Sequence, residues 1–194
     1  EGIEVQERAR LLFPTGALVS GDNLTASETT QQLLSDPTTD TIFEATFTII
    51  PYITKADILL RQTTGWKIIE IKSNVNISDE LISDLAYTTM ISKRSGLEIS
   101  YCSLLLVNKE YRLGMPDRKL FIENDITEQV FDRIKEFEKS YIRISEILSQ
   151  EEQPTPTLKW ECKKCDIFSE CCGEGIDNHI FELPRISHKK YCQL

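Results

Sequence analysis

Apolar and polar positions change their spacing along the chain in a way that predicts an alternation of strands and helices. Residues 42–50, 56–62 and 66–72 are dense in Ile, Thr, Phe and Trp and are predicted as three strands in close succession. Residues 99–107 form an apolar run of the length of a central strand, and residues 119–122 are predicted as a short edge strand.

Segments whose sequence pattern predicts helices lie before, between and after these strands. Residues 4–12 read as a helix that Pro14 and Gly16 end, and residues 27–34 as a short helix. Ser78 is expected to cap a helix that runs to about residue 93, and a long amphipathic helix follows from residue 125.

This order of elements predicts an α/β fold with a mixed sheet flanked by helices. The segment Gln153-Pro154-Thr155-Pro156 ends the last helix. We therefore expect a core domain over residues 1–152 and a small cysteine-rich, metal-binding appendage over residues 153–194 that packs on the core.

Composition narrows the class of protein. The chain has 22 Lys and Arg against 31 Asp and Glu, a net charge of −9, which is unfavourable for nucleic-acid binding. Much of the imbalance lies in residues 123–152, however, so an acidic helix face accounts for it and DNA is not excluded. The longest uncharged apolar region is interrupted by Glu44 and Pro51, so no membrane span is expected.

The six cysteines indicate a metal in a reducing compartment, and we expect a cytoplasmic protein. Cys102 lies alone in an apolar run and is predicted to be a buried hydrophobe. The other five fall within residues 162–192, and clustered cysteines without secretory features more often hold a metal than form disulfides. A zinc site of Cys₃His type is one arrangement, whose ligands would be Cys162, Cys165, Cys171 and His179. His188 is predicted to be a surface residue.

Candidate chemistry lies in the hairpin that residues 56–72 predict. If Thr64-Gly65 is a two-residue turn, Asp57 lies opposite Lys72, and Glu70 shares their face. Carboxylates on adjacent strands can share a divalent cation, and a nearby lysine can orient a water, as metal-assisted phosphodiester hydrolysis needs. The alternative from spacing alone is an exposed strand end with a surface salt bridge.

These motifs resemble the PD-(D/E)XK nuclease superfamily. Asp57 is followed after a turn by Glu70-Ile71-Lys72, and Cys162-Lys163-Lys164-Cys165 with Cys171 gives the spacing C-x₂-C-x₅-C. The second motif is similar to the iron–sulfur cysteines of RecB-type nucleases, including CRISPR-associated adaptation exonucleases. The likeness extends over residues 2–172.

The resemblance implies a restriction-endonuclease-like fold and a set of site residues. Asp57, Glu70 and Lys72 would be the catalytic residues, with Asp57, Glu70 and the carbonyl of Ile71 binding Mg²⁺ or Mn²⁺. Glu44 stands where many relatives keep an acidic residue; its alternative is an exposed charge on an edge. The metal ligands would thus come from Asp57, Glu70, Ile71, Gln6 and Glu44.

Two positions depart from the family pattern. Gly2-Ile3-Glu4-Val5-Gln6 has the spacing of the Gly-x-x-x-His of relatives, with Gln6, a weaker ligand, in place of the histidine. Thr88 stands where relatives carry a glutamine. Both departures favour a weakened or inactive site.

For the appendage, the resemblance implies a 4Fe-4S cluster with Cys162, Cys165 and Cys171 as ligands. In relatives a fourth cysteine precedes the first helix, so Cys172 or Cys192 would have to replace it, or it lies in further parts of the same polypeptide. Zinc, and a metal-free or disulfide-bonded segment, stay open as alternatives.

The implied function is a metal-dependent DNA nuclease, in the first place an exonuclease on single strands or DNA ends. DNA is the expected partner, together with possible further domains of the same polypeptide. The alternatives are a catalytically weak or inactive nuclease-like binding or scaffold domain, and a zinc-bearing interaction domain.

Overall fold

A computed structural model describes residues 2–193. The chain divides into two compact units, Glu1–Leu148 and Ser149–Leu194. The first unit contains the sheet and the long helices, and the second contains five of the six cysteines.

The first unit is built on one six-stranded mixed sheet, in which the spatial order of the strands is their order along the chain. The first and second strands are parallel, as are the fourth and fifth, and the other neighbouring pairs are antiparallel. The strands are β1 (Ala17–Leu18), β2 (Thr41–Ile49), β3 (Tyr52–Arg61), β4 (Trp66–Lys72), β5 (Ile99–Val107) and β6 (Phe121–Asp125).

Helices cover both faces of this sheet. The four helices of the first unit are α1 (Gly2–Arg10), α2 (Asn23–Ser35), α3 (Asp79–Arg94) and α4 (Thr127–Leu148). The larger core lies on one face and takes residues from α2, α3 and α4, among them the fully buried Val130. The smaller core lies on the other face, where α1 contributes Ala9. None of the helices within residues 2–193 combines the length and the apolar character that crossing a bilayer needs.

The predicted mixed α/β sheet is confirmed, with several changes of boundary. Strands β4 and β5 have the predicted bounds, and β6 begins at Phe121, after a 3₁₀ turn. The helix predicted from residue 27 begins at Asn23 instead, because the Asp22 side chain accepts a hydrogen bond from the Thr25 amide and caps it. Strand β1 was not predicted, since two residues carry no periodicity.

The predicted register of the β3–β4 hairpin is wrong by two residues. The strands pair Arg61 with Trp66 and Ile58 with Ile69. The connection is therefore a four-residue loop, closed by the hydrogen bond from the Gln62 amide to the Gly65 carbonyl, at 2.9 Å, and not a two-residue turn.

Glycine is required at the end of this loop. Gly65 has a φ of 70°, and a Cβ added to it would lie 2.6 Å from the Glu98 carbonyl oxygen. Because the shift in register is an even number of residues, side chains keep their faces. Asp57 consequently comes level with Glu70 and not with Lys72.

The second unit contains four short helical segments around a group of aromatic rings. These segments are 3₁₀ turns at Trp160–Lys164 and Ile180–Glu182, and helices α5 (Phe168–Cys171) and α6 (His188–Tyr191). Phe181 lies at the centre of the rings, with centroids of Trp160, Phe168 and Tyr191 between 5.4 and 5.9 Å from its own.

Candidate functional site

Asp57 lies where strands β3 and β4 separate. The pairing of the two strands ends at Ile58 and Ile69, so Asp57 is the first residue of β3 beyond the paired region. There the Asp57 Oδ2 accepts a hydrogen bond from the Ile71 amide at 2.7 Å, in place of a main-chain carbonyl of β3. The carboxylate is thereby fixed between these two central strands, with a side chain that is largely buried.

Glu70 and Lys72 occupy the same face of β4, two residues apart. The Lys72 Nζ lies 3.1 Å from the Glu70 Oε1 and 3.1 Å from the Asp84 Oδ2 on α3. Asp84 was not among the predicted site residues. The signal that could have identified it is its place one helical turn before Thr88, on the helix expected to face the site.

Glu70 is buried in the site, and its pKa is strongly raised. Its side chain is 13% exposed, and its Oε2 is buried without a hydrogen-bond partner among the described residues. Burial, and next the negative charge of Asp57, raise the pKa of Glu70 to about 7. A buried carboxylate oxygen without a partner is unfavourable, and a cation at this position would relieve both causes.

Gln6 of α1 reaches the same carboxylate as Ile71. The Gln6 Nε2 donates to the Asp57 Oδ1 at 3.0 Å, so both oxygens of Asp57 accept hydrogen bonds. Burial raises the pKa of Asp57 and the charge of Glu44 adds to this effect, whereas the Ile71 amide opposes it. The structure therefore brings Gln6, Glu44, Asp57 and Glu70 into one neighbourhood.

Glu44 enters this neighbourhood on an unusual backbone. Its φ is 57°, in the left-handed region, although it lies inside strand β2. The residues on either side, Phe43 and Ala45, pair normally with β3. The Glu44 Oε1 accepts a hydrogen bond from the Arg10 Nη2 at 2.6 Å, so Glu44 is partly buried and ion-paired, and is not an exposed edge charge.

Lys72 keeps its proton in this surrounding. Burial works against the ammonium form, but the carboxylates of Glu70 and Asp84 outweigh it and raise the pKa of Lys72. In this arrangement the Lys72 ammonium group is a hydrogen-bond donor and a positive charge.

Open space lies on both sides of these residues. A cleft of about 390 Å³ is bordered by Glu70, Asp84 and Thr88, and another of about 320 Å³ by Gln6 and Lys72. The Thr88 hydroxyl is engaged with the Thr54 hydroxyl at 2.9 Å, so Thr88 borders the first cleft while its side chain binds the sheet.

The cysteine unit brings together a different set of thiols from the one predicted. The Sγ atoms of Cys171 and Cys172 are 3.8 Å apart, and Cys172 also forms a hydrogen bond with Cys162. Partial burial and these two neighbours raise the pKa of the Cys172 thiol to about 11. Cys165 is exposed and does not join them.

The other predicted members of this segment have separate contacts. All six cysteines are free thiols. His179 is buried against Phe168, and its Nδ1 accepts a hydrogen bond from the Phe181 amide. His188 is exposed as predicted, but it lies against Trp160 and its Nε2 is 3.4 Å from the Cys192 Sγ. Cys102 of the first unit is fully buried, as predicted.

Within residues 2–193, no group of three or more His, Cys, Asp or Glu side chains is arranged to hold a metal ion. The hairpin offers the two carboxylates of Asp57 and Glu70 close together, with Glu44 engaged by Arg10. A cation there would be held first by these two groups and by main-chain or water oxygens, and Glu44 could join them through the carboxylate oxygen that Arg10 does not bind.

Comparison with known proteins adds no relative. A scan against protein-family models and a search of curated proteins found no match to this chain.

Proposed function

We propose that the chain is a metal-dependent DNA nuclease domain of the PD-(D/E)XK superfamily, of RecB type, with a restriction-endonuclease-like sheet. One observation carries the proposal. At the point where β3 and β4 separate, Asp57 and Glu70 lie together, Lys72 is beside them, and a buried oxygen of Glu70 has no partner among the described residues.

The donor set suits a hard divalent cation. Carboxylate oxygens are the ligands that Mg²⁺ and Mn²⁺ prefer. The Glu70 Oε2, which lies near Asp57 and has no partner in the described part of the chain, is such a donor. Asp57, Glu70 and the carbonyl of Ile71 would hold the cation, with Gln6 and Glu44 as neighbouring polar groups. When bound, Mg²⁺ or Mn²⁺ lowers the pKa of water and stabilises charge on a phosphate.

The protein's own groups then position the reactants. Protonated Lys72 can donate to the attacking water or to a phosphate oxygen, where it offsets the negative charge of the transition state. Asp84 limits the movement of the ammonium group and keeps it next to Glu70. The clefts on both sides of β4 leave room for a DNA strand to enter the site.

DNA, as single strands or ends, is the proposed substrate, and further domains of the same polypeptide are possible partners.

For the second unit we propose an appendage that binds a 4Fe-4S cluster or, alternatively, Zn²⁺, through Cys162, Cys165 and Cys171. The proximity of Cys162, Cys171 and Cys172 supports thiol chemistry of this kind, and Cys165 would have to turn toward them. Metal analysis and absorbance near ~400 nm of anaerobically prepared protein distinguish the two metals.

The test is cleavage of end-labelled single- and double-stranded DNA with Mg²⁺, Mn²⁺ or EDTA. Asp57→Asn and Lys72→Met should each lower the rate by at least about 100-fold, since each removes a group that acts on the transition state. Asp40→Asn and Lys55→Met, which change exposed residues of the same types, are the matched controls and should leave it unchanged. Cleavage that survives both site variants would refute the assignment.

A second candidate, a nuclease-like binding or scaffold domain, is favoured by one specific arrangement. Lys72 is held by two carboxylates, and both oxygens of Asp57 already accept hydrogen bonds. In this case the wild-type protein would bind DNA in EDTA and would not cut it with either metal.

A further inference from the structure

Helix α1 presents two side chains to the acidic cluster, one turn apart. Gln6 and Arg10 are four residues apart and therefore share a face of the helix. Gln6 donates to Asp57 and Arg10 pairs with Glu44. Each of these two carboxylates is thus held by its own donor from the same helix.

The Arg10–Glu44 pair combines two locally unfavourable features. Glu44 has a positive φ inside a strand, a conformation that persists only where the surroundings impose it. The Arg10 Nε is buried and has no hydrogen-bond partner among the described residues, which also opposes stability. Two such features at one ion pair next to Asp57 are typical of a functional site and not of a pair that serves stability alone.

We infer that Arg10 is a positioning residue, which holds the Glu44 carboxylate beside Asp57 so that a third acid is available when a divalent cation binds. The inference rests on the proposed function, because it concerns the same site. Arg10 acts through Glu44 and touches neither substrate nor metal. Its removal would free Glu44 to leave the left-handed conformation and turn away from Asp57.

The direction in which loss of Arg10 changes the affinity for a divalent cation distinguishes this role from a purely electrostatic one. Loss of a positive charge near a cation site by itself strengthens cation binding, because repulsion decreases. Loss of a positioning residue weakens it. We therefore expect Arg10→Met to raise the Kd for Mn²⁺ by about tenfold, and Arg10→Lys, which keeps the charge but not the forked geometry, by about threefold.

The decisive experiment is a double-mutant cycle on the full chain, with Mn²⁺ binding measured by titration calorimetry. If Arg10 acts through Glu44, Arg10→Met should change the Kd less than about twofold in a Glu44→Gln background. Tighter binding in Arg10→Met, an unchanged Kd, or the same change in both backgrounds would overturn the inference.

Two further measurements keep the outcomes separate. In the Arg10→Met background, Glu44→Gly, in which glycine accepts the positive φ, should not melt at a higher temperature in EDTA than Glu44→Gln, because residue 44 has already left the left-handed conformation. A clearly higher melting temperature of the glycine variant would mean that the strain persists without Arg10 and would overturn the inference. DNA cleavage by the same proteins tests the proposed function independently. A wild type that shows the Mn²⁺ cycle and does not cut DNA would refute the nuclease alone, whereas a cutting wild type without the cycle would refute the role of Arg10 alone. Failure of the wild type to bind Mn²⁺ would contradict both.

Discussion

At Glu70 the demands of folding and of the proposed chemistry conflict. Its carboxylate is buried next to Asp57, and one of its oxygens has no partner among the described residues. The folded protein therefore disfavours the ionised form, and in metal-free protein the penalty is complete above pH 7. We expect Glu70→Gln to stabilise the protein in EDTA at pH 8 by about 1–3 kcal/mol while abolishing DNA cleavage.

The pH dependence provides a check on this explanation. Because the pKa of Glu70 is raised from 4.5 to about 7, the difference between variant and wild type should shrink as the pH falls through this interval and disappear below it. Chemical denaturation in EDTA at pH 8, 6 and 4.5 measures it, with the exposed Glu128→Gln as the control. A destabilised Glu70→Gln protein at pH 8 would contradict the account.

Contacts between residues follow from the sequence where they depend only on the alternation of side chains along a strand. Asp57, Glu70 and Lys72 lie together because residues two apart share a face, and an error of two in register preserves it. Asp84 and Arg10 were missed because each meets the site from a helix, through a contact that depends on how that helix packs. Spacing alone does not indicate that Cys172 lies beside Cys162 and Cys171, because the turns of the folded chain decide which thiols meet.

At the scale of elements, helix α4 depends on a local side-chain turn at its start. The Asp125 Oδ1 accepts hydrogen bonds from the Thr127 amide at 2.9 Å and the Thr127 hydroxyl at 2.6 Å. We expect Asp125→Ala to lower the free energy of unfolding by about 1 kcal/mol at pH 7, since it leaves donors of the first turn unpaired.

The same contacts fix the sign of the pH effect. Hydrogen bonds from Thr127 lower the pKa of Asp125 below 3.8, so the contribution of Asp125 is complete above that value and is lost as the pH falls through the lower, folded-state pKa. Urea denaturation at pH 7 and pH 3 should show the difference between Asp125→Ala and wild type decreasing with acid. Asp132→Ala, in the second turn of α4, is the control. A difference that grows in acid would contradict the prediction.

Strands β4 and β5 were predicted to the residue, whereas β3, which begins four residues before its predicted start, and the connections were not. Strands β4 and β5 are dense in β-branched and apolar residues and are bounded by turn residues, so both ends were readable. The loop at Gln62–Gly65 was predicted two residues too short. Its conformation depends on the close approach of Gly65 to the Glu98 carbonyl, a contact across the sheet that Thr-Gly alone does not indicate.

For the whole molecule, the division into two units has a direct consequence. Every residue of the proposed catalytic site lies in Glu1–Leu148, on α1, β2, β3, β4 and α3. Residues 151–159, at the start of the second unit, are exposed and outside any helix or strand. Backbone of this kind is the preferred target of proteases, so glutamyl endopeptidase should cut first after Glu151 or Glu152.

The fragment that ends near residue 152 should keep its thermal unfolding transition and, if the proposed function holds, its metal-dependent cleavage of DNA. Its core is formed by its own helices and sheet. A Glu151→Ala, Glu152→Ala double variant, which should resist the first cut, is the control. Mass spectrometry of the digest and calorimetry of the purified fragment provide the measurement. A fragment that unfolds at room temperature would show that the cysteine unit stabilises the sheet domain, whereas a folded fragment without cleavage would show that this unit contributes to binding DNA.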